Sequence, residues 1–207
     1  MSRLRFFSLL YIGLLLLVSC GKEEAAYPPV LTEFASLRTD AQGRGAWLLT
    51  DRGECYDVGN ADQHTGLTPD SLYRIVALYE LSASAASASV HLYDKAEAIA
   101  PLPTAHWEGE WKKDPVGVQS IWLSGDYLNM VLLVKAQDRP HTFFFVEQER
   151  GAAVRLGLYH DRGDDVEAYT QQAYLSVPLA GYRDEARQVD FSLATADGWV
   201  TYTFVWP

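Results

Sequence analysis

Cysteine is nearly absent from this sequence: Cys20 and Cys55 are the two in 207 residues. A disulfide framework needs pairs, and structural zinc sites draw on at least two thiolates, so both require that neither cysteine be committed elsewhere. Basic residues are also scarce, with 17 Lys and Arg against 27 Asp and Glu and a formal charge of −10. Nucleic acids and anionic membrane surfaces reward clustered Lys and Arg, so neither is expected as a partner. Beyond residue 19 there is no long apolar run, no heptad and no basic tail. Catalytic signatures are missing too: no nucleophile elbow, Walker loop, dinucleotide glycine pattern or HExxH occurs. His64, His91, His106, His141 and His160 are scattered singly and are expected at surfaces or strand edges. Catalysis needs a nucleophile with a base, or two carboxylates in opposed environments. No such pairing is legible, so neither an enzyme nor a cofactor is expected.

What is present begins at the N-terminus. Arg3 and Arg5 precede an apolar run from Leu9 to Val18, well short of the roughly 20 residues a membrane-spanning helix needs. It reads as a secretion signal. The residues that close it, Leu17-Val18-Ser19-Cys20-Gly21, resemble a bacterial lipobox. The resemblance implies cleavage before Cys20, a diacylated Cys20 thiol and an acylated Cys20 amine. Each buried methylene contributes about 0.8 kcal/mol, and two or more chains anchor a protein stably. Residues 1–19 are therefore expected to be a lipoprotein signal peptide and residues 20–29 a lipidated tether. Lys22-Glu23-Glu24 resembles the signal that sends some Gram-negative lipoproteins to the outer face of the outer membrane; the plainer reading is a solvated linker. Without residues 1–19, and hence without Arg3 and Arg5, 188 residues carrying −12 remain, enough for one or two small domains. With Cys20 acylated, Cys55 has no partner and is expected to be a small buried hydrophobe.

After Pro28-Pro29 the dominant hydrophobic period is two. Val30–Leu37, Ala46–Thr50, Glu54–Val58, Tyr73–Leu81 and Ser89–Glu97 are short aromatic and aliphatic stretches between turn formers. Asp40–Gly43 and Asp51–Gly53 are hairpin-turn candidates, and Ser82–Ser89 suits a flexible connection between strands. One helical turn is expected near Asp70–Tyr73, after Thr68-Pro69. Five such strands suit a small Greek-key barrel over residues 30–103. A break at Pro101-Leu102-Pro103 precedes seven more strands, Val118–Leu123, Tyr127–Lys135, Thr142–Glu147, Val154–His160, Ala173–Leu179, Val189–Ala194 and Trp199–Trp206. Their spacing predicts an antiparallel β-sandwich over residues 104–207. The fold class is all-β.

A lipobox, a barrel-like first half and a second half carrying "VQSIWLSGDYLNMVLLV" and "LYHDRGDDVEAYTQQAYLSVPL" together resemble the NigD-like lipoproteins. The resemblance implies an N-terminal OB-type domain followed by a C-terminal β-sandwich, and it carries no catalytic residues. The family name implies a link to bacteriocins.

Two constellations remain. Asp161, Asp164, Asp165 and Glu167 crowd a loop with His160. Hard cations want six to eight oxygens, but the spacing is not that of an EF-hand loop and Arg162 would sit beside the ion, so a solvated hairpin loop is expected. Trp107 and Trp111 lie four apart after the proline break. They could stack on sugar rings or a partner's apolar anchor, or pack the interface between the two domains. The expected function is a lipid-anchored outer-membrane module, displayed at the surface, that binds another macromolecule in a bacteriocin-related role. The alternative is a carbohydrate-binding accessory of a glycan-uptake system using Trp107 and Trp111. A metal-dependent hydrolase built on the acidic loop is a weaker third.

Overall fold

Alternating burial along much of the chain after Pro29 builds two β units, with the strands Val30–Thr39 and Tyr127–Ala136 buried on both faces in their central stretches. The structure is a computed structural model and describes residues 29–206. β1 (Val30–Thr39), β2 (Gly45–Thr50), β3 (Cys55–Val58), β4 (Leu72–Leu81) and β5 (Ser87–Lys95) close a barrel in the order β1-β2-β3-β5-β4. β3 pairs with β5 in parallel, and β1 closes on β4 over nine residue pairs. This is the five-stranded barrel of OB type. Leu37, Leu48, Ile75, Ala77, Tyr79, Ala88 and Val90 fill it.

β6 (Glu97–Ala98), β7 (Leu102–Pro103), β8 (Gly117–Ser124), β9 (Tyr127–Ala136), β10 (Thr142–Glu149), β11 (Ala153–Asp161), β12 (Tyr169–Pro178), β13 (Gln188–Thr195) and β14 (Gly198–Val205) form the rest. They make a five-stranded sheet, β14-β13-β11-β10-β7, and a four-stranded sheet, β6-β12-β9-β8. Most pairs are antiparallel, while β11–β13, β7–β10 and β6–β12 are parallel. Phe145, Leu156 and Phe191 of one sheet meet Leu128, Met130, Leu132 and Leu175 of the other. No helix among the described residues is long and apolar enough to cross a membrane.

Three details differ from the sequence reading. Residues 97–103, expected with the barrel, pair with the sandwich through β6 and β7. No helical turn forms at Asp70–Tyr73. Instead the buried Thr39 hydroxyl donates to the Thr68 carbonyl at 2.7 Å and accepts the Ser71 N–H at 2.8 Å, pinning an open turn. Cys55 is exposed; as the first residue of β3 it alternates with Tyr56 and Val58, which take the inward positions.

The two units lock through one buried polar cluster. The Arg74 guanidinium on β4 donates to Asp51 Oδ1 at 2.6 Å and Oδ2 at 2.7 Å, within the barrel. The same side chain crosses to the sandwich, reaching Asn129 Oδ1 at 2.8 Å and Ser176 Oγ at 3.1 Å. Asn129 Nδ2 returns to Asp51 Oδ2 at 2.7 Å, and the Tyr127 ring lies 3.9 Å from the guanidinium carbon. Gly125, in the β8–β9 turn, has φ +55°, and a Cβ there would sit 2.3 Å from the Asp51 carbonyl oxygen. Only glycine lets that turn approach the barrel backbone so closely. Beside the cluster, Phe34 packs edge-on against Trp122 and Tyr174.

Candidate functional site

Cys20, Lys22, Glu23 and Glu24, the residues read as anchor and export signal, lie outside the described residues. Trp107 and Trp111 do not fill the domain interface. They lie instead on the outer face of the five-stranded sheet, where the 104–116 segment crosses it. The Trp107 ring sits 4.7 Å from that of Tyr159 and 5.9 Å from that of Phe144. Trp111 Nε1 donates to the Leu158 carbonyl at 3.0 Å, and its ring meets Trp199 edge-on at 5.8 Å. Lys113 Nζ lies over both of these indoles, at 4.9 and 5.4 Å. The absence of a side chain at Gly157 makes the bed for Trp111: a Cβ there would fall 2.4 Å from the indole.

The acidic loop does not converge on a common centre. Asp164 takes Arg139 Nη1 on both oxygens at 2.7 Å, and Glu167 pairs with Arg162. Asp161 accepts the Gly163 N–H at 2.8 Å. Asp165 turns inward, accepting backbone N–H groups from Gln137 at 2.8 Å and from Asp138 and Arg139 at 3.3 Å. These bonds, that of Gln137 foremost, hold its carboxyl down to about 2 against the opposing effect of its burial. Among the described residues no three His, Cys, Asp or Glu side chains are grouped as a metal would need.

Asp165 instead ends a buried chain of two histidines. His141 Nε2 lies 3.3 Å from Asp165 Oδ2, and His141 Nδ1 lies 2.9 Å from His160 Nε2. His160 Nδ1 lies 2.9 Å from the Asp114 carbonyl, and its ring stacks on Phe143. A carbonyl only accepts, so His160 carries its proton on Nδ1, and neutral Nε2 accepts from His141. Burial pushes the His160 imidazole below its ordinary value, opposed by the Asp114 carbonyl and by the charges of Asp114 and Asp161. A second proton would also set two N–H groups against each other.

The sign of the linkage follows. Above pH about 6.5 the imidazole is neutral whether folded or unfolded, and below it the unfolded chain binds the proton first. The contribution of His160 to stability is therefore expected to shrink as pH falls from 7 to 5, so that in urea unfolding His160→Gln loses less over that range than the wild type. An identical slope in the variant would exclude the His160 imidazole as its source.

Beside this pair, between β8 and β14, a cleft of about 680 Å³ opens at the acidic-loop end of the sandwich. Val116, Val118, Leu133, Val200 and Tyr202 give it an apolar lining, and Lys135, Arg162, Glu167 and Asp197 supply charges of both signs. His160 also lines it, but both its ring nitrogens are engaged by Asp114 and His141. The geometry suits binding of an apolar group.

A family model described as the NigD-like C-terminal beta sandwich domain matches residues 98–205, more than half of the chain. The chain belongs to the NigD-like family. The crystal structure of a NigD-like immunity protein from Bacteroides caccae is similar over 87% of this chain and 99% of its own, with 29% identity and a TM-score of 0.72. A protein of Parabacteroides distasonis provisionally named toxin-related shares the fold at 15% identity, covering 86% of this chain and 93% of its own, with a TM-score of 0.70. So does a protein of unknown function from Bacteroides vulgatus, at 18% identity, 86% and 92% coverage, and a TM-score of 0.69. No curated protein matches the chain.

The NigD-like sandwich holds the histidine pair and the cleft, and both escaped the sequence reading. His141 and His160 stand 19 positions apart, and singly each reads as a surface residue. The usable signal was the β10–β11 hairpin: pairing Phe143 with His160 places His141 diagonally beside it. The cleft had no local signal, because its walls come chiefly from β8, β9 and β14 together with three loops.

Proposed function

We propose that this NigD-like chain is a lipid-anchored protein of the bacterial envelope that binds another protein, in a bacteriocin-related role of self-protection, and catalyses nothing. The observation that carries the reading is the likeness to the Bacteroides caccae immunity protein, which spans 99% of that chain. Anchoring is supported by the apolar run that ends at Cys20, and display at the outer surface by Lys22-Glu23-Glu24. A binding role is supported by an apolar cleft beside histidines whose nitrogens are already engaged. The carbohydrate-binding alternative is less well supported, since Trp107 and Trp111 spend much of their ring surface on Tyr159, Phe144 and Trp199.

Two measurements test the proposal. Cells fed labelled palmitate should label the full chain and fail to label Cys20→Ala; a labelled variant would refute the anchor. Deleting the gene should sensitise the host strain to its cognate bacteriocin, with the wild-type chain restoring resistance. Unchanged sensitivity would remove the self-protection role and leave the anchor standing.

A further inference from the structure

The sandwich treats its two pairs of edges differently. On one side the outermost strands are β6 and β7, two residues each, carrying Glu97 and ending on Pro103. Short strands, a charge and a proline are the usual means of blunting an edge. On the other side the five-stranded sheet ends on β14, eight residues reading GWVTYTFV, with no charge and no proline. β14 stays in unbroken register with β13, and no strand among the described residues pairs with its outer edge. Its outward side chains include Trp199, 46% exposed, and Val205, 66% exposed. The facing edge, β8, is a poorer template: its register shifts between Val118 and Ser120, and its Trp122 is packed on Phe34 of the barrel.

We propose that β14 pairs antiparallel with β14 of a second copy of this chain, joining two five-stranded sheets into one. The strand is self-complementary about Tyr202. In the centred register Trp199 lies opposite Val205, Val200 opposite Phe204, Thr201 opposite Thr203, and Tyr202 opposite itself. Aromatic with β-branched and threonine with threonine are pairs that stabilise neighbouring strands. The contact covers the exposed Trp199 and Val205 and places Val200 and Phe204 together on the core side. Charge explains why this strand suits a second copy. Two chains of net charge −10 repel, and an uncharged strand keeps carboxylates out of the contact. The nearest acid along β13, Asp190, is already held by Thr203 Oγ1 at 2.7 Å and by Gln188 Nε2 at 2.8 Å.

The register provides the test, on the full chain in detergent micelles with Cys55→Ser to silence the native thiol. One preparation carries Thr201→Cys, another Thr203→Cys, and the two are mixed under mild oxidant. A disulfide-linked dimer is expected in the mixture and not in either preparation alone, because each position faces the other. Equal cross-linking in all three samples would overturn the register, and none in any would overturn the pairing. Sedimentation gives the second reading. Thr201→Lys with Thr203→Lys sets like charges opposite each other and should weaken self-association about tenfold. Thr201→Glu with Thr203→Lys should restore it. Indifference to both variants, or a monomer at all concentrations, would leave this edge to some other strand and end the proposal.

Discussion

Replacing Arg74 by methionine is expected to destabilise the protein by about 3–5 kcal/mol, the usual cost of removing one partner from a buried ion pair. The Arg74 and Asp51 side chains are only 3% and 6% exposed. Loss of the guanidinium leaves the Asp51 carboxylate buried with Asn129 Nδ2 as its remaining side-chain donor, at 2.7 Å. Asn129 Oδ1 loses one of its two donors and Ser176 one of its partners, and both of these groups are fully buried. Arg74→Lys should recover little, because an ammonium cannot reproduce the fork that spans both Asp51 oxygens and still reaches Asn129 and Ser176.

Urea unfolding followed by tryptophan emission measures the loss. Since the cluster joins barrel to sandwich, a second expectation accompanies the first: the transition of Arg74→Met should broaden or split, as the two units melt separately. A loss under about 1 kcal/mol with a single sharp transition would show that the apolar contact of Phe34 with Trp122 and Tyr174 holds the units together without the polar cluster. A double-mutant cycle between Arg74→Met and Asp51→Asn would apportion the remainder.

Gly157→Ala is the second large expected effect, at about 1–3 kcal/mol, the range for forcing an extra group into a packed site. Adding one methyl to a strand position normally helps, since alanine restricts the unfolded chain. Here it would collide with Trp111 at 2.4 and 2.5 Å and with Gln148 Nε2 at 2.9 Å. Trp111 would have to leave, giving up its bond to the Leu158 carbonyl and its contact with Trp199. The expected result is a lower unfolding midpoint together with a red-shifted tryptophan emission. Gly151→Ala, which adds a methyl where nothing lies within 4 Å, should do neither. If Gly157→Ala matched Gly151→Ala in both readouts, Trp111 would not be seated on β11 in solution.

These two residues also mark where the sequence stops being legible. Gly157 falls between Leu156 and Leu158 but on the opposite face of the strand, so it reads as an ordinary weak point there. Its purpose appears only when a tryptophan 46 positions away lies down on it. Arg74 sits between Tyr73 and Ile75 in an apolar strand and gives no sign that it is buried. Its partners Asp51, Asn129 and Ser176 come from a turn and two distant strands.

The two all-β units and nearly every strand are legible from local hydrophobic patterning. A period of two over Val30–Leu37 or Val189–Ala194 can bury one side only as a strand, and Gly53 and Gly198, both at positive φ, serve the turns that lead into β3 and β14. The sequence also carries the case for an anchor at Cys20, because an apolar run and a cysteine placed after it are local properties. Everything that depends on two strands meeting lies beyond such local reading. Side-chain pairs across a sheet or between domains are set by register and packing, and neither is encoded within any one segment. That is why His141 found His160, why Trp107 and Trp111 went to the sheet face and not to the domain boundary, and why β14 was left at an open edge.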